Sequence, residues 1–102
     1  MPPNNTKGMK AMKINLGQIV ASRMIYGDME GSSLFAREVV RSLARYQNGD
    51  WGDCCEEDCQ ANDYAAEHGE RILAAYETSR GKIWIITEWD RSATTILYPS
   101  DY

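Results

Sequence analysis

The chain of 102 residues has few of the residues that mark common catalytic and disulfide-rich classes. It holds one His, one Phe, three Cys and three Pro. With a single histidine, no Ser–His–Asp or Cys–His arrangement is legible, and no phosphate-binding glycine motif is present. Three cysteines, two of them adjacent, do not make a disulfide framework. No apolar run approaches the roughly 18 residues that a membrane-spanning helix needs.

Positive charge is also scarce. The 11 Lys and Arg residues stand against 15 Asp and Glu residues, which gives a net charge of −4. This balance disfavours non-specific binding of nucleic acid, because that binding depends on a basic surface. The N-terminal segment lacks the apolar stretch and cleavage site of a signal peptide. The sequence therefore predicts a flexible leader over residues 1–12, a single domain over residues 13–102 and a reducing cytoplasmic location.

The clearest structural pattern lies in the last third of the chain. Three runs rich in Ile, Trp, Thr and Tyr cover residues 71–77, 82–89 and 93–98, with short polar connections between them. This pattern is typical of an antiparallel meander. The middle run carries apolar side chains on both of its faces, which predicts a central strand. Asp90-Arg-Ser92 is then a hairpin turn.

Helix signals precede the meander. The predicted helices, with their capping residues, run from Ser22 to Met29, from Ser32 or Ser33 to about Gln47, and from Asp53 to about His68. Asp53 and Glu56 form a predicted capping box for the third helix. The buried face of that helix is predicted to consist of Cys55, Cys59, Ala61, Tyr64, Ala65 and Ala66. Residues 12–22 suit either a short strand or a loop. The fold class is therefore α+β, with N-terminal short helices packed on a C-terminal antiparallel sheet of three to four strands.

A metal site is the first alternative for the cysteines. Cys54, Cys55, Cys59 and His68 suggest zinc. On one helix, however, His68 lies on the opposite side from Cys59 and about 20 Å along the axis from Cys54. The cysteines are therefore interpreted as small buried residues, and neither a metal nor a cofactor is predicted.

A cluster of five acidic residues falls between residues 50 and 58. The spacing does not fit a calcium loop, because Trp51 and Gly52 interrupt it. Helix capping explains Asp53 and Glu56 without an ion. The local negative charge that remains suggests mimicry of phosphates toward a basic partner.

Two further hypotheses rest on other polar residues. A small ribonuclease of the bacterial toxin type places such side chains on a sheet packed by N-terminal helices, and Arg71, Thr87, Arg91 and Thr95 are the residues that would carry such a site. A DNA-binding regulator would instead use a stripe of arginines at helical spacing, which consists of Arg37, Arg41 and Arg45.

Several longer motifs resemble a family of small bacterial and phage proteins known as plasmid-related proteins. These motifs are Leu16-Gly-Gln-Ile-Val-Ala21, Gly49-Asp-Trp-Gly-Asp53, Glu56-Glu-Asp58, Gly69-Glu-Arg-Ile-Leu73 and Ile83-Trp-Ile-Ile-Thr-Glu88, followed by Asp90-Arg-Ser92. Where many members of that family have His, this chain has Tyr46. The resemblance implies cargo of plasmids, phages and integrated elements, a class that includes anti-CRISPR and other anti-defence inhibitors.

The leading prediction is therefore a non-enzymatic inhibitor that binds a host guided nuclease, with Cas9 as the favoured target. The predicted partner-binding residues are Asp50, Trp51, Asp53, Glu57, Asp58 and Arg91, with Trp51 as the anchor of an acidic loop that faces a basic nucleic-acid channel. Direct binding to nucleic acid or to a membrane is not expected. The oligomeric state is left open, with a homodimer as one alternative.

Overall fold

The structure is a computed structural model, and it describes residues 14–102. The predicted leader lies outside the described residues. In chain order, the elements are β1 (Gln18–Ala21), α1 (Arg23–Gly31), α2 (Ser33–Gln47), α3 (Glu56–His68), β2 (Ile72–Thr78), β3 (Gly81–Thr87), β4 (Ala93–Leu97) and a 3₁₀ turn (Pro99–Asp101). The α+β class is confirmed.

The sheet formed by the described residues has the strand order β1-β4-β3-β2. Strands β2, β3 and β4 form the predicted antiparallel meander, and β3 lies between two neighbours as expected. The prediction of a purely antiparallel sheet was wrong, because β1 pairs with β4 in parallel. A parallel pair needs a long crossover, and here all three helices and two strands lie between β1 and β4 in the chain.

Two serines begin the first two helices as predicted. The Oγ atom of Ser22 accepts a hydrogen bond from the backbone N–H of Ile25, and Ser32 Oγ accepts one from Phe35. Each bond satisfies an N–H that the first helical turn leaves without an intrahelical partner. Ser32 also ends α1, which therefore continues to Gly31 rather than stopping at Met29.

The hydrophobic core lies between the helices and one face of the sheet. Its helical members include Ile25 of α1, Phe35, Val39 and Tyr46 of α2, and Ala65 of α3, and its strand members include Ile72, Ala74, Tyr76, Ile83, Ile85 and Ile96. The strand residues alternate along each strand and pair across the ladder, so they share one face. We call this the core face.

The outer edge of β2 is covered by the segment that joins α2 to α3. Gly52 forms a bridge to Ala75, and the N–H of Asp53 donates to the Ala75 carbonyl at 2.8 Å. Asp53 Oδ2 accepts from the N–H of Glu77 at 2.8 Å. These bonds occupy backbone groups of an edge strand that could otherwise pair with another chain.

The predicted capping box of α3 was wrong. The N-cap residue is Cys55, and it makes no side-chain capping bond. Asp53 is not available as a cap, because its carboxylate binds the edge of β2.

The predicted buried face of α3 was wrong in part. Ala65 is buried, and Cys59 and Ala66 are partly buried, but Cys55, Ala61 and Tyr64 are exposed. Asn62 is buried instead, where its Nδ2 donates to the Leu73 carbonyl at 2.9 Å. The helix has no large aliphatic side chain, so this polar bond to the sheet edge helps to set its rotation.

Candidate protein-binding surface

Acidic residues are concentrated between residues 46 and 70. This segment contains eight Asp and Glu residues and neither Lys nor Arg, whereas the rest of the chain has seven acidic and eleven basic residues. The segment comprises the end of α2, the connection that covers β2, and α3. The charge asymmetry makes this part of the molecule the first candidate for a binding surface.

The carboxylate of Asp50 is committed to the connection itself. It accepts two hydrogen bonds from the Arg45 guanidinium, at 2.8 and 3.1 Å, and one from the N–H of Gly52. The bonds from Arg45 lower the pKa of Asp50 below its usual value. The backbone carbonyl of Asp50 also accepts a 2.6 Å bond from the Tyr76 hydroxyl. Asp50 and Asp53 therefore hold the fold together, rather than presenting free charge.

The indole of Trp51 is buried, with 3% of the residue exposed. Its Nε1 donates to Asp63 Oδ1 at 2.9 Å, and its ring packs edge-on against Tyr46 with centroids 5.5 Å apart. Trp51 therefore belongs to the core and is not exposed as the predicted anchor requires. A large aromatic in a polar connection gave no sign that α3 would supply a carboxylate to its N–H.

Most of the exposed carboxylates of the segment lie on α3. Glu56, Glu57 and Asp58 form its first turn, and Glu67 lies near its end. The first three also interact favourably with the positive end of the helix dipole. Glu57 and Asp58 are the two predicted binding residues that are exposed and make no side-chain hydrogen bond within residues 14–102.

An aromatic pair lies among these carboxylates. Tyr64 is 54% exposed, and its ring stacks on that of His68 with centroids 3.9 Å apart. His68 is fixed by a 2.8 Å contact between its Nδ1 and the Tyr64 carbonyl. Helical spacing places Tyr64 on the same side as Glu57 and Glu67. We call Glu56, Glu57, Tyr64 and Glu67 the α3 outer face.

Counted over the whole helix, the negative charge of α3 approaches that of a nucleic-acid strand, although Asp63 binds Trp51 and Asp58 lies away from the outer face. Its 13 residues carry five carboxylates, and a helix of that length spans about 20 Å. This is about one negative charge per 4 Å, compared with one per about 3.4 Å along one strand of DNA. The similarity arises from one element and does not need the connection at residues 49–53.

Arg91 has a structural role in the turn between β3 and β4. Its guanidinium donates to the carbonyls of Ala65, Glu70 and Glu88 at 2.8 to 3.1 Å. Its backbone has a positive φ of 60°, and this conformation is costly for a residue with a side chain. These bonds tie the end of α3 to the sheet, so Arg91 is not presented to a partner as predicted.

The four residues of the ribonuclease hypothesis do not form one site. Thr87 is fully buried on the core face, whereas Thr95 points to the opposite face. Arg71 pairs with Glu88 at 3.6 Å at the sheet end, and Arg91 binds carbonyls. No pair of these side chains is arranged as nucleophile and base.

The arginine stripe of α2 is only partly free. Arg45 is bound to Asp50 and lies over the Tyr76 ring. Arg37 and Arg41 are exposed and flank a shallow groove formed with Ala36 and Val40. Two free arginines give a smaller basic surface than the three that the DNA-binding hypothesis used.

The cysteines differ from the prediction. Cys54 and Cys59 form a disulfide with Cα atoms 6.0 Å apart, and Cys55 is an exposed free thiol. The spacing of the cysteines alone could not reveal the disulfide. The bond forms because the chain turns at residue 55, before the helix begins. Within residues 14–102, no group of three or more His, Cys, Asp or Glu side chains is arranged to hold a metal ion.

The sequence missed three members of the α3 outer face, namely Glu56, Tyr64 and Glu67. A helical wheel for residues 56–68 would have grouped them if Asn62 and Ala65 had been taken as the buried face. No protein-family model, curated protein or solved structure matches the chain. The resemblance to plasmid-related proteins stays a prediction. In the part of the chain that the structure describes, no helix has the length and apolar character to span a bilayer.

Proposed function

We propose that the protein is a non-enzymatic inhibitor that binds the nucleic-acid channel of a guided nuclease through the α3 outer face. The observation that carries this proposal is the group of exposed carboxylates on α3, of which Glu56, Glu57 and Glu67 lie on the outer face. Tyr64 supplies exposed aromatic area, which is common at the centre of protein interfaces.

The proposal places the protein in the cytoplasm of a bacterial host, as cargo of a mobile element. Cas9 is the favoured target, because its channel for nucleic acid is positively charged. Binding would be stoichiometric and would compete with DNA, since both ligands would occupy the same basic surface. Added salt would weaken binding, because salt screens exposed charges.

A DNA-cleavage assay with Cas9, guide RNA and target DNA tests the proposal. The expected result is inhibition at a molar ratio near one, relieved by excess DNA. Reversal of two charges in Glu57→Lys/Glu67→Lys should weaken inhibition at least about tenfold, because like charges would then meet in the channel. These two changes have opposite effects on the helix dipole, so the fold should persist.

Glu67→Lys alone should also weaken inhibition, and Glu30→Lys is its matched control. Both residues are exposed and lie near the end of a helix, and both substitutions change the net charge by the same amount. The control should inhibit like the original protein. Equal inhibition by Glu57→Lys/Glu67→Lys and the original protein would contradict phosphate mimicry by α3. Absence of any inhibition would reject Cas9 as the target.

A further inference from the structure

The sheet has a second face, turned away from the helical core. The register places two rows of side chains across it, which are Val20, Thr95, Ile86 and Leu73 in one row and Leu97, Trp84 and Ala75 in the other. None of these residues belongs to the core cluster that includes side chains of all three helices. Among residues 14–102, the C-terminal turn contacts this face, since Tyr102 packs against Trp84. We call it the second face.

The centre of the second face is apolar and aromatic. Ile86 and Leu97 are only 3% and 7% exposed. Trp84 is half-buried on the central strand β3, and the Tyr102 ring packs edge-on against it with centroids 5.6 Å apart. The Tyr102 hydroxyl accepts a 3.0 Å bond from Arg71. Trp and Tyr, which meet at this centre, are residue types enriched at interface hot spots.

Four charged residues surround the β2–β3 half of this face. At the hairpin end, Glu77 of β2 pairs with Lys82 of β3 at 3.9 Å. At the other end, Arg71 precedes β2 and pairs with Glu88, which follows β3, at 3.6 Å. The signs therefore alternate around the four corners, and each end of the β2–β3 pair carries one positive and one negative residue.

This arrangement is complementary to itself. If a second copy is turned over about an axis that runs across the strands, its Arg71 lies opposite Glu77 of the first copy, and its Lys82 lies opposite Glu88. The same operation is reciprocal, as a two-fold axis requires. It also brings the row that contains Trp84 over the row that contains Ile86, so that large and smaller side chains alternate.

We propose that the second face is the interface of a homodimer, in which two sheets pack face to face with aligned strands. Such packing is the usual arrangement of two twisted sheets. Because the sheet has only four short strands, we expect a contact area below the about 800 Å² per partner of a standard interface. We therefore expect a weak dimer, with a Kd on the order of ten to a hundred micromolar.

Sedimentation velocity of the full chain tests the dimer. Between about 5 and about 500 μM, the weight-average mass should rise from that of one chain toward that of two. A mass that stays at one chain over this range would overturn the proposal.

Two charge-segregated variants test the predicted pairing. Glu77→Lys/Glu88→Lys makes all four corners positive, and Arg71→Glu/Lys82→Glu makes all four negative. Each variant alone should be a monomer, because like charges would face each other. An equal mixture should form a heterodimer. If either variant dimerises alone as the original chain does, the proposed two-fold arrangement is wrong.

Trp84→Ala, introduced into both variants, is the control for general charge attraction. The mixture should then lose its heterodimer, because the aromatic centre supplies the contact area. Association that survives this change would show attraction outside the second face and would contradict the proposal. Far-ultraviolet circular dichroism of every variant confirms that the compared chains are folded.

Discussion

The hydroxyl of Tyr46 donates a 2.6 Å hydrogen bond to Thr87 Oγ1 in the interior of the protein. Thr87 Oγ1 lies 2.8 Å from Thr94 Oγ1, and Thr94 Oγ1 donates to the Leu16 carbonyl at 2.7 Å. A carbonyl can only accept, so the single proton of Thr94 is used there. Thr87 must then donate to Thr94, and Tyr46 to Thr87. One directed chain links α2, β3, β4 and the segment before β1.

Thr94→Val should destabilise the protein more than a change at the end of this chain. It removes the donor to the Leu16 carbonyl and the acceptor for Thr87, so we expect a loss of about 2 to 3 kcal/mol in the free energy of unfolding. Tyr46→Phe should cost about 1 kcal/mol, because Thr87 keeps its acceptor. Urea denaturation measures both. Thr95→Val is the control, and it should change the free energy of unfolding by no more than about 0.5 kcal/mol. If Thr94→Val costs no more than Thr95→Val, the buried chain of hydrogen bonds is contradicted.

Stability should fall steeply in alkali. Burial raises the pKa of Tyr46 from its ordinary value of 10.0 to about 12, and burial also raises the pKa of Tyr76. Above pH 10 the unfolded chain loses these protons while the folded chain keeps them. Each group should then remove about 1.4 kcal/mol of unfolding free energy per pH unit until the folded pKa is reached. Below pH 10 neither tyrosine should contribute to the change of unfolding free energy with pH.

Urea denaturation between pH 9 and pH 11 checks this dependence. Tyr46→Phe should show a shallower fall with pH than the original chain, since one of the tyrosines with a raised pKa is gone. Identical slopes would mean that the Tyr46 hydroxyl does not stay protonated in the folded protein.

Gly52→Ala should disrupt the connection that covers β2. Gly52 has a φ of +74°, and an added Cβ would collide with the carbonyl oxygen of Ala75 and with the ring of Tyr76. Left-handed strain and overpacking together should cost about 3 kcal/mol or more. Gly49→Ala is the control, because its φ is +85° but nothing lies within 4 Å of the added Cβ. It should cost only about 1 kcal/mol in thermal or urea unfolding.

Reduction should lower stability through the disulfide that precedes α3. Opening a ring of about six residues releases chain entropy worth about 2 kcal/mol in the unfolded state. Thermal unfolding with and without a thiol reductant measures the effect, and Cys54→Ser/Cys59→Ser should unfold like the reduced protein. Cys55→Ala should change stability little, because that thiol is exposed and free and makes no capping bond. No effect of reductant on the original chain would contradict the bond.

Local patterns were sufficient for the meander and for two helix starts. The strands β2, β3 and β4 carry closely spaced β-branched and aromatic residues, and Ser22 and Ser32 act on N–H groups three residues away. Such signals depend on neighbours in the chain, so they can be read without coordinates. The parallel pairing of β1 with β4 could not, because its partner lies more than 70 residues away.

The candidate site was predicted less well, for the same reason. Asp53 resembled a helix cap until Glu77, 24 residues later, supplied the N–H that it binds. Trp51 resembled a surface anchor until Asp63 supplied an acceptor. The acidic composition of the region was visible in the sequence, but the division between structural carboxylates and exposed ones depended on how α3 rotates against the sheet edge.

The amino-acid sequence by itself determined the class of the fold, the order of its central elements and the concentration of negative charge between residues 46 and 70. These properties follow from periodicity, capping and composition, which act over a few residues. Only the tertiary structure decided that the charge available to a partner lies on α3, and that the sheet has a second, apolar face. Each of those facts depends on contacts between residues far apart in the chain. No local sequence pattern specifies which distant segments pack against each other.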